Sequence, residues 1–93
     1  MSVELRLGKP EEYMFYYVYT LRSLVDSKRY YVGMTIELEA RLKKHNAGQC
    51  PHTSKFRPWQ IEIAVAFRSK DKAVAFEKYL KSHSGRAFAK KHF

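Results

Sequence analysis

The runs Phe15-Tyr16-Tyr17-Val18-Tyr19-Thr20-Leu21 and Tyr30-Tyr31-Val32-Gly33-Met34, separated by a polar stretch with Asp26, Ser27 and Lys28, decide the fold. Aromatic and β-branched side chains suit a pleated surface, so both runs read as strands. Alternation puts Tyr17, Tyr19 and Leu21 on one face of the first strand and Tyr16, Val18 and Thr20 on the other. The intervening stretch suffices for an antiparallel hairpin but is too short for a parallel crossover.

Working outward, Thr35 reads as the N-cap of a helix from Ile36 to Ala47. Glu37 and Glu39 sit in its first turn, and Gly48 is its stop. Leu38 and Leu42 form a buried stripe, with Glu37, Arg41 and His45 in an adjacent stripe at helical spacing. Gly48 to Pro58 is a polar loop. Trp59 to Phe67 alternates as a third strand, with Ile61, Ile63, Val65 and Phe67 expected on one face. Ser69 caps a second helix over Lys70–Ser82, whose core face holds Ala73, Phe76 and Leu80. A short third helix over Ser84–His92 is anchored by Phe88. The order β-β-α-β-α-α predicts an α+β domain, a small three-stranded antiparallel sheet flanked by helices.

A chain of 93 residues leaves no room for a second independent core. With 45% apolar and 15% aromatic residues it is not a disordered basic tail. The formal net charge is +9, which nominates polyanions as partners, nucleic acid first. Residues 1–13 contribute a net −1 and read as a peripheral extension, so the excess lies in the domain from residue 14 to 93. No acid follows Glu77, while Lys78, Lys81, Arg86, Lys90 and Lys91 do. The single cysteine, Cys50, excludes a disulfide framework and a Cys-based zinc site. No apolar run spans a bilayer and no signal-peptide pattern opens the chain, so a cytoplasmic protein without a membrane partner is expected.

Three groups of side chains stand out for chemistry. Tyr31 shares a strand face with Gly33, and a phenol beside a glycine gap is a candidate reaction pocket. Cross-strand aromatic packing is the plainer account of Tyr19 and Tyr31. Arg41 and His45 lie one helical turn apart, where a guanidinium can meet a phosphate, or where both are simply solvated. Glu77 flanks an apolar face, so it needs a partner. That partner is Lys78 or Lys81 at helical spacing, or a hard cation such as Mg²⁺, which needs only one or two carboxylates.

These residues, in this order, resemble the GIY-YIG nuclease superfamily over Phe15–Phe93. Within it the chain is similar to the small standalone bacterial single-domain group, and to the GIY-YIG domain of the nucleotide-excision-repair incision subunit. Tyr17-Val18-Tyr19 and Tyr31-Val32-Gly33 match the two motifs, and Arg41, His45 and Glu77 match the family's arginine, histidine and glutamate. Tyr17 stands where the first motif has glycine, Val18 and Val32 replace isoleucines, and Met34 stands where some members have a lysine that helps activate the tyrosine.

The resemblance implies a divalent-metal-dependent endonuclease that hydrolyses phosphodiester bonds in DNA, or RNA, with low sequence specificity. Water attacks in line. Tyr31 is the general base or the partner of that water, and Tyr19 positions it. Arg41 stabilises the charge on phosphorus, His45 assists the base or orients the phosphate, and Gly33 allows close backbone approach. Glu77 holds one Mg²⁺ or Mn²⁺. A free phenol has a pKa near ~10, so the base needs cationic help. Lys43, Lys44, Lys55, Arg57, Lys78, Lys81 and Arg86 are the expected phosphate-binding residues. With no targeting domain in view, a protein partner is expected to deliver the domain, and DNA repair is the expected setting by fold analogy. The alternatives are a nucleic-acid-binding module that keeps the fold without turnover, and a basic ribosome-associated structural protein.

Overall fold

Residues 14–93 are described in the computed structural model; the segment read as a peripheral extension, 1–13, lies outside them. The elements run β1 (Tyr16–Ser23), β2 (Tyr30–Thr35), α1 (Leu38–Asn46), a 3₁₀ turn (Ser54–Phe56), β3 (Trp59–Phe67), α2 (Lys70–Lys81) and α3 (His83–His92). The three-stranded sheet has the order β2-β1-β3 and both pairings are antiparallel. This is the expected α+β architecture, with β1 at the centre.

A central strand has both faces covered, so β1 divides the core. Val18 packs with Val32, Ala73 and Leu80 on the α2 side, joined by Tyr16, Met34, Phe67 and Phe76. Tyr19, Leu21 and Trp59 pack on the α1 side, joined by Tyr31, Leu38, Leu42 and Ile61. Alternation along β1 is therefore as the sequence predicts.

β3 departs from simple alternation. Thr20 pairs with Ile63 but Leu21 pairs with Ile61, so Glu62 is an extra residue in the ladder. This bulge moves Trp59 and Ile61 to the α1 side while Ile63 and Phe67 stay level with Thr20 and Tyr16 on the α2 side. Single-face alternation was expected; one bulge lets a nine-residue strand serve both halves of the core. Glu62 meets the fork of Arg22 at 3.0 and 3.3 Å.

Thr35 is not the helix cap. Its backbone is committed to the sheet opposite Tyr17, and its hydroxyl accepts the Glu37 N–H at 3.0 Å. α1 therefore starts at Leu38, and Glu37 occupies the N-cap rather than the first turn. At the other end Gly48 adopts φ +80°, which only glycine takes without strain. Its N–H bonds His45 O, and Gln49 N–H bonds Lys44 O, closing the helix with the paired bonds of a Schellman motif. Ser69 Oγ accepts from Lys72 N–H at the start of α2, as the sequence predicts. Among the described residues no helix is long and apolar enough to cross a membrane.

Candidate active site

Tyr19 sits opposite Gly33 in the β1–β2 ladder. A Cβ on residue 33 would lie 2.5 Å from Tyr19 Oη and 2.9 Å from Tyr31 Cε2. The glycine gap is therefore filled by the Tyr19 ring itself. The close approach at Gly33 is made by a side chain of the protein, which lets the phenol cross the strand and reach the last turn of α1, above the loop that follows it.

There it meets His45, with Oη 3.0 Å from Nε2. His45 is only 1% exposed, the one buried residue of α1, although its spacing placed it beside the apolar stripe. Its Nδ1 lies 2.9 Å from Thr53 Oγ1. Thr53 Oγ1 lies 3.2 Å from Cys50 O, and a carbonyl can only accept. The threonine hydrogen goes there, so Thr53 accepts from His45 Nδ1–H. His45 Nε2 then carries the lone pair that accepts the Tyr19 O–H. The chain of bonds from Tyr19 to Cys50 O has one direction.

The local sequence holds this loop in place. Asn46 clasps the Trp59 backbone from both sides, accepting its N–H at 2.6 Å and donating to its carbonyl at 3.0 Å. Trp59 Nε1 donates to Thr53 O at 2.8 Å.

Burial pushes the Tyr19 phenol up to about 12; the Tyr31 phenol adds to this, and the charge of Arg41 opposes it. Burial pushes His45 down, and Arg41 pushes it in the same direction. Both effects keep the proton on Tyr19 and His45 neutral. Tyr31 lies against this pair, its ring 4.9 Å from His45 and 6.4 Å from Tyr19, and is half-buried where Tyr19 is closed off. Tyr31 and the half-buried Arg41 are the members that a substrate can touch.

Glu77 approaches from the other side of the sheet. It is held by Lys81, Oε2 to Nζ 3.2 Å. Lys81, Tyr30, Tyr31, Leu80 and Arg86 line a cavity of about 290 Å³ at the β2 edge. The cavity links Tyr31 with the cation that grips Glu77.

The family model of the GIY-YIG catalytic domain matches residues 15–91. The chain belongs to the GIY-YIG family. Over a 70-residue alignment this GIY-YIG chain is 41% identical to the structure-specific endonuclease subunit SLX1 of Debaryomyces hansenii, covering 68% of the chain and 20% of that protein. Over an alignment of the same length it is 40% identical to SLX1 of Cryptococcus neoformans var. neoformans serotype D, covering 68% of the chain and 14% of that protein. The chain thus spans about a fifth or less of these relatives, both fungal.

Within the GIY-YIG domain, Tyr19, Tyr31, Arg41 and His45 come together, while Glu77 reaches the group only around the β2 edge. Of the motif residues, Val18 and Val32 are core, and half-buried Tyr17 tilts against Phe15. Met34 packs in the Val18 cluster, so it points away from the phenols. Lys43, Lys44, Lys55, Arg57, Lys78 and Arg86 are exposed. Thr53, which sets the His45 tautomer, carried no chemical signal of its own in the sequence. Its place depends on a loop returning beneath α1.

Among the described residues no three His, Cys, Asp or Glu side chains cluster as a metal cage. Glu77, a half-buried carboxylate with a displaceable lysine partner, fits the other mode, in which Mg²⁺ keeps its waters and takes one protein carboxylate plus substrate phosphate.

Proposed function

We propose that this GIY-YIG domain is a divalent-metal-dependent endonuclease, hydrolysing phosphodiester bonds in DNA with low sequence specificity. The observation that carries the reading is the directed hydrogen-bond chain from Tyr19 through His45 to Thr53, set behind the accessible Tyr31 and Arg41.

In this reading the scissile phosphate lies against Arg41, whose guanidinium can donate two hydrogen bonds to phosphate oxygens. Tyr31 is the general base that takes a proton from the attacking water. The water oxygen bonds to phosphorus as the bond to the leaving oxygen breaks. Tyr19 stays protonated and, with its hydrogen given to His45, offers an oxygen lone pair that orients Tyr31 or the water. Glu77 would hold Mg²⁺ or Mn²⁺, which supplies positive charge for the leaving oxygen. The exposed lysines and arginines bind the backbone without reading bases.

The SLX1 relatives are named as endonuclease subunits, which supports a protein partner that directs this domain to its substrate. Action in DNA repair and in the cytoplasm belongs to the same proposal. The test is nicking of supercoiled plasmid with Mg²⁺ or Mn²⁺ by wild type, Glu77→Ala and Tyr31→Phe. Wild type should nick and both variants should not. Undiminished nicking by Glu77→Ala would remove the metal-holding role. Salt-sensitive binding with no nicking by wild type would favour the binding module.

A further inference from the structure

A second cavity, of about 390 Å³, lies on the sheet face opposite Tyr19, between the strands and α3. Its apolar surface comes from Val32, Ile63, Leu80 and Ala89. Volume and lining are those of a small-ligand site. None of the chemistry described above uses it.

Thr20 also lines this cavity. It is 6% exposed, and its Oγ1 has no hydrogen-bond partner among the described residues. A buried hydroxyl without a partner is unusual and wants a polar group. Arg22 is matched by Glu62 at the rim, but Lys28, Arg86 and Lys90 also line the cavity and make no ion pair with a described acid. Tyr30 supplies an aromatic wall, 41% exposed. An apolar slot with an aromatic wall, one buried hydroxyl and an uncompensated cationic rim fits a planar, polar-edged group attached to phosphate. That is a nucleotide.

The two cavities adjoin. Both are lined by Tyr30, Val32, Leu80 and Arg86, and the smaller one also contains Tyr31 and Lys81. A strand whose phosphate lies at Tyr31 would pass Arg86 on its way to this slot. We propose that the cavity is a nucleobase subsite, taking an unpaired nucleotide next to the scissile phosphate. A base paired in a duplex is stacked and cannot enter without being extruded, so the subsite would favour substrates with an unpaired nucleotide. The inference rests on the endonuclease reading for its strand, but its readout is binding.

The experiment uses the full chain in EDTA, where cleavage does not intervene, and fluorescence anisotropy at fixed salt. The probes are a fully paired duplex, the same duplex with one unpaired adenosine, and one with an abasic residue at that place. Binding to the unpaired adenosine should be roughly tenfold tighter or more, and the abasic residue should lose that gain. Thr20→Val should weaken the preference while raising the thermal unfolding midpoint, because it removes a hydroxyl that has no partner in the free protein. Lys90→Glu should weaken it at unchanged midpoint. Equal affinity for the three probes would overturn the subsite, whether or not wild type nicks plasmid. So would a preference that survives both substitutions. Adenosine monophosphate competing as well as the oligonucleotide would make the cavity a free-nucleotide site and overturn the strand-bound reading. Failure to nick plasmid, with the preference intact, would count against the endonuclease alone.

Discussion

Tyr19 and Gly33 face each other across β1 and β2, and the Tyr19 hydroxyl occupies space that any larger residue at 33 would need. Gly33→Ala must push the ring off its line to His45, because the Cβ would lie 2.5 Å from Oη. Overpacking of this kind costs about 1–3 kcal/mol. Urea unfolding should show that loss, and near-ultraviolet circular dichroism should show a displaced tyrosine.

Thr53→Val removes the acceptor of the His45 Nδ1–H and leaves a buried donor unpaired. The expected loss is about 1–3 kcal/mol of stability. Nitrogen-15 NMR of the imidazole should report a proton on Nδ1 in wild type and a changed tautomer balance in the variant. An unchanged spectrum would show that Thr53 does not set the tautomer.

His45 is pushed below its ordinary value in the folded protein. Between that lowered value and the unfolded value near ~6.5, the unfolded chain binds more protons than the folded one. Stability should therefore rise with pH through this window and fall as acid is added. Unfolding free energies at a series of pH values should show this slope, and His45→Gln should flatten it.

Tyr19, raised to about 12, keeps its proton at pH values where an exposed phenol has lost it. The sign for stability is opposite to that of His45. Above pH ~10 the unfolded chain has released a proton that the folded one still holds, so stability falls with rising pH. Tyrosinate absorbance should show a late-titrating phenol in wild type that is missing from Tyr19→Phe.

Glu77 and Lys81 form a helical ion pair in which the lysine is largely exposed. Such pairs are worth only about 0.3–0.5 kcal/mol, so Glu77→Gln should barely change stability. Its rate of plasmid cleavage should fall by about 10²–10³, the usual cost of losing one preorganised electrostatic group. Mn²⁺ binding followed by electron paramagnetic resonance should weaken in parallel.

The elements themselves were legible because local pattern encodes them. The aromatic runs at Tyr16–Leu21 and Tyr30–Met34 became paired strands, Ser69 capped α2, and Gly48 ended α1. Elsewhere a longer-range demand prevailed over local pattern. Thr35 had the chemistry of a cap but was held in the ladder opposite Tyr17, and the Glu62 bulge redirected the side chains of β3.

The candidate site divides in the same way. Motif order singled out Tyr19, Tyr31, Arg41, His45 and Glu77 as residue types with suitable chemistry. The sequence alone thus determined the strand and helix pattern, the excess of positive charge and the family resemblance, since each depends on residue identity and short spacing. Only the tertiary structure decided that the Gly33 gap belongs to Tyr19, that His45 is buried, and that Thr53 gives the hydrogen-bond chain its direction. Those facts depend on burial and on contacts between residues far apart in the chain. A proton's position responds to what surrounds it, and that is absent from any local run of residues.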